Sequence, residues 1–233
     1  MANETPGSSV SLDIREVLFG DEPLDKVVSR LEDAGEKPWS CFAGAAQKLT
    51  AGDTQGAVAE LRTVLQMSGL EARIYLQAWH TLRSLEVFPS PEEARVIQGM
   101  VVEVGLEQGL DIVAAYVDGS ARYFNFSGAA IIWDIPDAEI DSLIHELLSV
   151  GQGIVDVTEP WDGPRPLAPP VSMVRINLLT FGGLHFGQGL FPALSQDALG
   201  GLALRGAFDL MRALIEKVRA RQSGGDVEEG ENQ

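Results

Sequence analysis

The chain has 233 residues, with 34 acidic against 17 basic side chains, a formal net charge of −17, and 45% apolar residues. That apolar content supports a packed core of one large or two small domains and excludes a chain disordered throughout. The charge opposes nucleic acid and an anionic membrane surface, which both require clustered Lys and Arg.

No run of 18 apolar residues occurs, so no transmembrane helix is expected. Residues 1–11 are polar and acidic, read as a flexible start, and lack the basic and apolar stretches of a secretory signal. Cys41 is the single cysteine, which leaves no internal disulfide and no Cys-based metal site. These features predict a soluble, cytoplasmic protein, and the Ala, Gly and Leu content fits a bacterial source.

Apolar spacing predicts helices from Leu12 to Leu18 and from Leu24 to Leu31, the second capped by Asp21 with Pro23 in its first turn. Segment 39–50 follows, ending at Ala51-Gly52. Asp53 or Thr54 then caps a helix with Ala57, Val58, Leu61, Val64 and Leu65 on one face. Residues 71–86 give a third. Ser90-Pro91-Glu92-Glu93 reads as a capping box opening a fourth helix, 91–106.

Gly52-Asp53-Thr54-Gln55-Gly56-Ala57, followed by Leu61 and Val64, resembles the second half of a tetratricopeptide repeat. Trp39, Ala45 and Leu49 fit the first helix of that hairpin, and 71–86 with 91–106 would form the next. The resemblance covers residues 38–106 and implies stacked helical hairpins. A helical layer of no named family satisfies the same pattern.

After Gly109 the period changes. Asp111–Val117 and Ala121–Phe126 flank Asp118-Gly119-Ser120, a hairpin signal, and Ala129–Trp133 completes a three-stranded meander. A helix is predicted over 138–150, stopped by Gly151 and Gly153. Segment 160–170 holds five prolines in eleven residues and reads as a loop. Strands at 171–181 and 184–194 and a helix at 198–221 follow. The basic cluster Lys217, Arg219 and Arg221, with Arg205 and Arg212, is read as that helix's last turns. From Gly224 an acidic, disordered tail is expected.

The predicted fold is therefore α+β: N-terminal helical hairpins over 1–108, then β-β-β-α-loop-β-β-α over 109–222, an antiparallel sheet covered on one face by two helices, then the tail, 223–233.

Complete catalytic signatures are absent: no phosphate loop, no dinucleotide fingerprint and no nucleophile elbow. Cys41 reads as a buried thiol, and His80 and His145 as structural or surface groups. Residues 125–164 hold eight acidic side chains and no Lys or Arg; Asp134, Asp137, Glu139 and Asp141 fall within eight residues. Such oxygens suit Ca²⁺, but the spacing matches no calcium loop, and Asp137 and Glu139 suit a helix N-terminus. No cofactor or metal is assigned. Trp161 in the Pro-rich loop is either tucked into the domain or open to a partner. His185 lies in a Gly-rich stretch that reads as a turn and a strand kink.

The preferred reading is a non-enzymatic interaction module, such as an adaptor, scaffold, chaperone or immunity-type protein. It would bind a basic protein partner through acidic groups including Asp134 and Asp137. The alternative is a small-molecule sensor or small enzyme, with Tyr123, Asn125, Trp161 and His185 lining a cleft beside the Pro-rich and Gly-rich loops. A homo-oligomer paired through a sheet edge is a third possibility.

Overall fold

A computed structural model describes residues 14–31 and 35–228, with side chains through 222; the flexible start expected at 1–11 and residues 229–233 lie outside these. The chain is α+β, with helices first and then an antiparallel sheet with further helices. Helix α1 covers 14–19, α2 Leu24–Ser29, α3 Trp39–Thr50, α4 Thr54–Leu65 and α5 Ala72–Ser84. Their apolar stripes meet as the spacing predicts: Phe42 and Ala45 of α3, Leu61 and Val64 of α4, and Ala78 and Leu82 of α5 share one core. Asp53 caps α4, its carboxylate accepting from Gly56 N at 2.8 Å. Asp21 does not cap α2. Pro23 holds the N-cap position, and Asp21 accepts from Arg165 Nε at 2.8 Å.

The predicted fourth helix, 91–106, does not form. The Ser90–Glu93 capping box is present, with Ser90 N donating to Glu93 Oε2 at 3.1 Å, but it heads one 3-10 turn, Glu93–Arg95. The chain then enters strand β1, Ile97–Leu106. Covered on both faces, β1 shows a nearly continuous run of burial instead of alternation, and its β-branched content favours strand. The second hairpin that the tetratricopeptide resemblance implies is therefore replaced by α5 and a strand.

β2 (Gly109–Tyr116), β3 (Ala121–Phe124) and β4 (Ala130–Trp133) complete a meander of four strands, one more than predicted. β5 (Met173–Thr180) and β6 (Gly183–Leu190) pair on the other side of β1, in the order β4-β3-β2-β1-β5-β6. β1 is thus central. The edges are the four-residue β4 and β6, and so short an edge as β4 offers little to strand pairing.

Both faces are covered, not one. Helix α6 (Ala138–Val157) and α8 (Ala198–Glu228) pack on Met100, Val102, Val113, Ile176 and Leu178. On the other face, α1 and α5 cover Val101, Ile112, Ala114, Tyr116 and Leu179. α6 runs past Gly151, where it was expected to stop. A Cβ there would lie 2.5 Å from Ile97 Cδ1 and 2.7 Å from Met100 Cε, so this glycine serves close helix–sheet approach. A short helix, α7 (Phe191–Gln196), takes the end of the strand predicted to reach 194. α8 continues to Glu228, past the predicted tail boundary, because each added residue extends an existing hydrogen-bond ladder. Lys217 and Arg221 therefore lie inside the helix: Lys217 Nζ donates to Asp137 Oδ2 at 2.8 Å, and Arg221 sits 4.4 Å from the Trp133 ring centroid.

Candidate functional site

The six residues singled out from sequence do not converge. Tyr123, half-buried on β3, packs with the α6–α8 core, its hydroxyl 3.5 Å from Asp111 Oδ2. Asn125 organises the β3–β4 turn, its Oδ1 accepting from Ser127 N at 3.0 Å and Ala129 N at 2.9 Å. Asp137 caps α6 through Glu139 N and Ile140 N. Lys217 and these amide donors hold its carboxyl below the usual carboxylate range.

His185 is fully buried on β6, opposite Leu178, with Nδ1 2.9 Å from Thr158 Oγ1. Thr158 donates its own proton to Ile154 O at 2.8 Å, so neutral His185 carries its proton on Nδ1. Burial lowers its pKa, with Arg95 adding to the shift. Its side chain lies on the α6 face, whereas Phe186, the neighbour against Trp161, lies on the opposite face. Tyr123 is four strands from β6, about 19 Å at ordinary strand spacing. The single cleft lined by Tyr123, Asn125, Trp161 and His185 is therefore not formed.

Asp134 does reach a cleft. The Asp118–Ser120 turn, the β4–α6 connection, one face of α6 and the start of α5 enclose about 1040 Å³. Among the described residues four carboxylates line it, Glu71, Asp118, Asp134 and Asp141, and no Lys or Arg does. Asp134 is held from below by buried Arg122, and Asp118 accepts from Ala72 N at the start of α5. Val96, Val117 and Ile135 line the same space at 49%, 51% and 50% exposure. At its wall Ser120 is 6% exposed, and its Oγ has no hydrogen-bond partner among the described residues. No group of three or more His, Cys, Asp or Glu among the described residues is placed to hold a metal, so the calcium reading of 134–141 gains no support.

Trp161 belongs to a second cleft of about 510 Å³ between the Pro-rich loop, the α1–α2 connection and α5. Its indole is 45% exposed, packs edge-on against Phe186 at 5.5 Å, and donates Nε1–H to Pro164 O at 2.9 Å. It is fixed, yet open on one side. His80, Arg83 and Arg165 line this cleft, with Asp21 the one acidic side chain among the described residues. Burial lowers the pKa of His80, an effect opposed by Asp21 and reinforced by Arg83 and Arg165.

Sequence reasoning missed a buried polar network on the sheet face beneath the Pro-rich loop. Glu103 of β1 is 0% exposed and accepts from Arg15 Nε and, at 3.0 Å, from Asn177 Nδ2, with Arg175 at 3.7 Å. Arg15 and Arg175 also donate to Pro166 O. For Glu103 and Arg175 the one sequence signal is charge inside otherwise apolar strands. Cys41 is buried as expected, and that burial raises its pKa.

These features define the class as an antiparallel α+β protein with two open clefts of opposite charge. No family model, curated protein or solved structure matches the chain.

Proposed function

We propose that the protein is a non-catalytic interaction module that binds a basic, partly apolar segment of a protein partner in the larger cleft. An adaptor, scaffold, chaperone or immunity-type protein would work in this way. The observation that carries the reading is the pairing of half-exposed Val96, Val117 and Ile135 with four carboxylates in one open cleft that, among the described residues, no Lys or Arg lines. Apolar side chains at the centre of an interface supply affinity by burial, while the acidic rim selects the partner and speeds encounter.

The test is capture of a partner by the tagged full chain, followed by affinity measurement with the purified pair. Asp141→Lys should weaken binding about tenfold and Ile135→Asp at least as much. Glu107→Lys, in the β1–β2 turn at the other end of the sheet, should bind as wild type. Affinity should fall as salt rises. Salt-independent binding, or equal loss in the Glu107→Lys protein, would remove the reading.

A further inference from the structure

We propose that the second cleft binds a small organic oxyanion, a carboxylate or a phosphate ester. The Arg83 guanidinium and the His80 imidazole would meet its charge, and the Trp161 indole its body. The inference stands independently of the acidic cleft.

Charge sets this cleft apart. In a chain of net charge −17, this cleft is lined by two guanidiniums and an imidazole against one carboxylate. That carboxylate is already engaged, since Asp21 Oδ2 accepts from Arg165 Nε at 2.8 Å. Arg165 is further held 4.5 Å from the Phe19 ring centroid. Arg83 is different. It donates to Phe181 O, but no carboxylate lies within 4.0 Å of it among the described residues. Burial depresses its pKa, with distant Asp21 opposing; a guanidinium nevertheless stays charged at any physiological pH. A half-buried cation without a counter-ion is costly, and an anion in the cleft would relieve that cost.

Hydrogen bonding narrows the ligand further. The His80 ring makes no hydrogen bond among the described residues although it lines the cleft. It offers one N–H to an oxyanion. A volume of about 510 Å³ falls in the range of small-molecule sites, and the fixed, half-exposed Trp161 forms one wall.

The experiment titrates the full chain with citrate, with glycerol 3-phosphate and with uncharged glycerol at constant ionic strength, read by calorimetry and by tryptophan fluorescence. At least one anion should saturate at or below about 1 mM, and glycerol should not bind. Which anion binds separates the carboxylate from the phosphate source. Arg83→Gln should weaken binding about tenfold, through loss of a charge-assisted contact. His80→Gln should weaken it about threefold while keeping the wild-type melting temperature, since His80 has no internal hydrogen bond to lose. Trp161→Phe should remove most of the fluorescence response. If Arg83→Gln fails to fold, His80→Gln decides alone. Failure of both anions to saturate by about 10 mM, or wild-type affinity in the folded variants, overturns the proposal.

Discussion

Glu103 sits in the central strand with no solvent exposure, and its carboxylate joins Arg15 of α1 to Asn177 and Arg175 of β5. Truncating one member of a buried charge network leaves the others uncompensated. Glu103→Ala should therefore cost about 3–5 kcal/mol in urea unfolding, while Glu103→Leu combined with Arg15→Met should cost less than the single change. Equal loss in the two proteins would overturn that account. His185 supports a second expectation. Burial depresses its folded pKa below the ordinary value, so the unfolded chain binds its proton first on acidification. The stability from neutral, buried His185 is present above the unfolded pKa of about 6.5 and is lost as pH falls through the lower folded pKa. A His185→Asn protein should be the less stable at pH 7.5 in thermal melts. Its deficit against wild type should shrink at pH 5, and a constant gap would rule the titration out.

Gly105 shows how one backbone contact fixes an element. A Cβ there would lie 2.6 Å from Pro169 O and closer still to Pro170 O, both backbone atoms with no freedom to rotate away. The Pro-rich segment is tied to this strand by Ser172 N donating to Gly105 O at 3.0 Å and by Arg15 and Arg175 holding Pro166 O. Gly105→Ala should lift the segment, cost about 2–4 kcal/mol, and speed chymotrypsin cleavage after Leu167, which is exposed already. Unchanged digestion would mean that the segment relaxes around the methyl group. Elements whose rules are local could be read in advance: the Asp53 cap, the Ser90–Glu93 box and the α3–α4 turn all formed. Those that depend on distant contacts could not. β1 reads as a helix because burial on both faces erases its alternation, and Gly151 reads as a stop although it admits Ile97 and Met100. The sites divide likewise. The acidic run singled out Asp134, which lines the larger cleft, and the prolines singled out Trp161 without deciding between a tucked and an open side chain. His80 and Arg83 acquire meaning only when the chain around Asp21 and Arg165 folds against α5.

Across the whole molecule, the boundary expected at residue 108 from the change of period does not coincide with a break in the core. β1 precedes that point, yet it pairs with β2 along Gly99–Leu106 and with β5 along Ile97–Val104. Helices α1 and α5 cover Ile112, Ala114, Tyr116 and Leu179, and the Tyr116 hydroxyl donates to Leu18 O at 2.7 Å. A fragment of 109–228 would lose its central strand, open two inner strand edges and bare that apolar face. Open edges and apolar faces invite association. The fragment should aggregate or melt without a cooperative transition, whereas a 14–228 protein, which keeps β1, α1 and α5, should unfold in one transition near that of the full chain. If 109–228 instead melts cooperatively with strand-rich circular dichroism, the two halves fold separately. The cleft joining Glu71 and Asp118 on one side of residue 108 and the other to Asp134 and Asp141 would then be an interdomain surface.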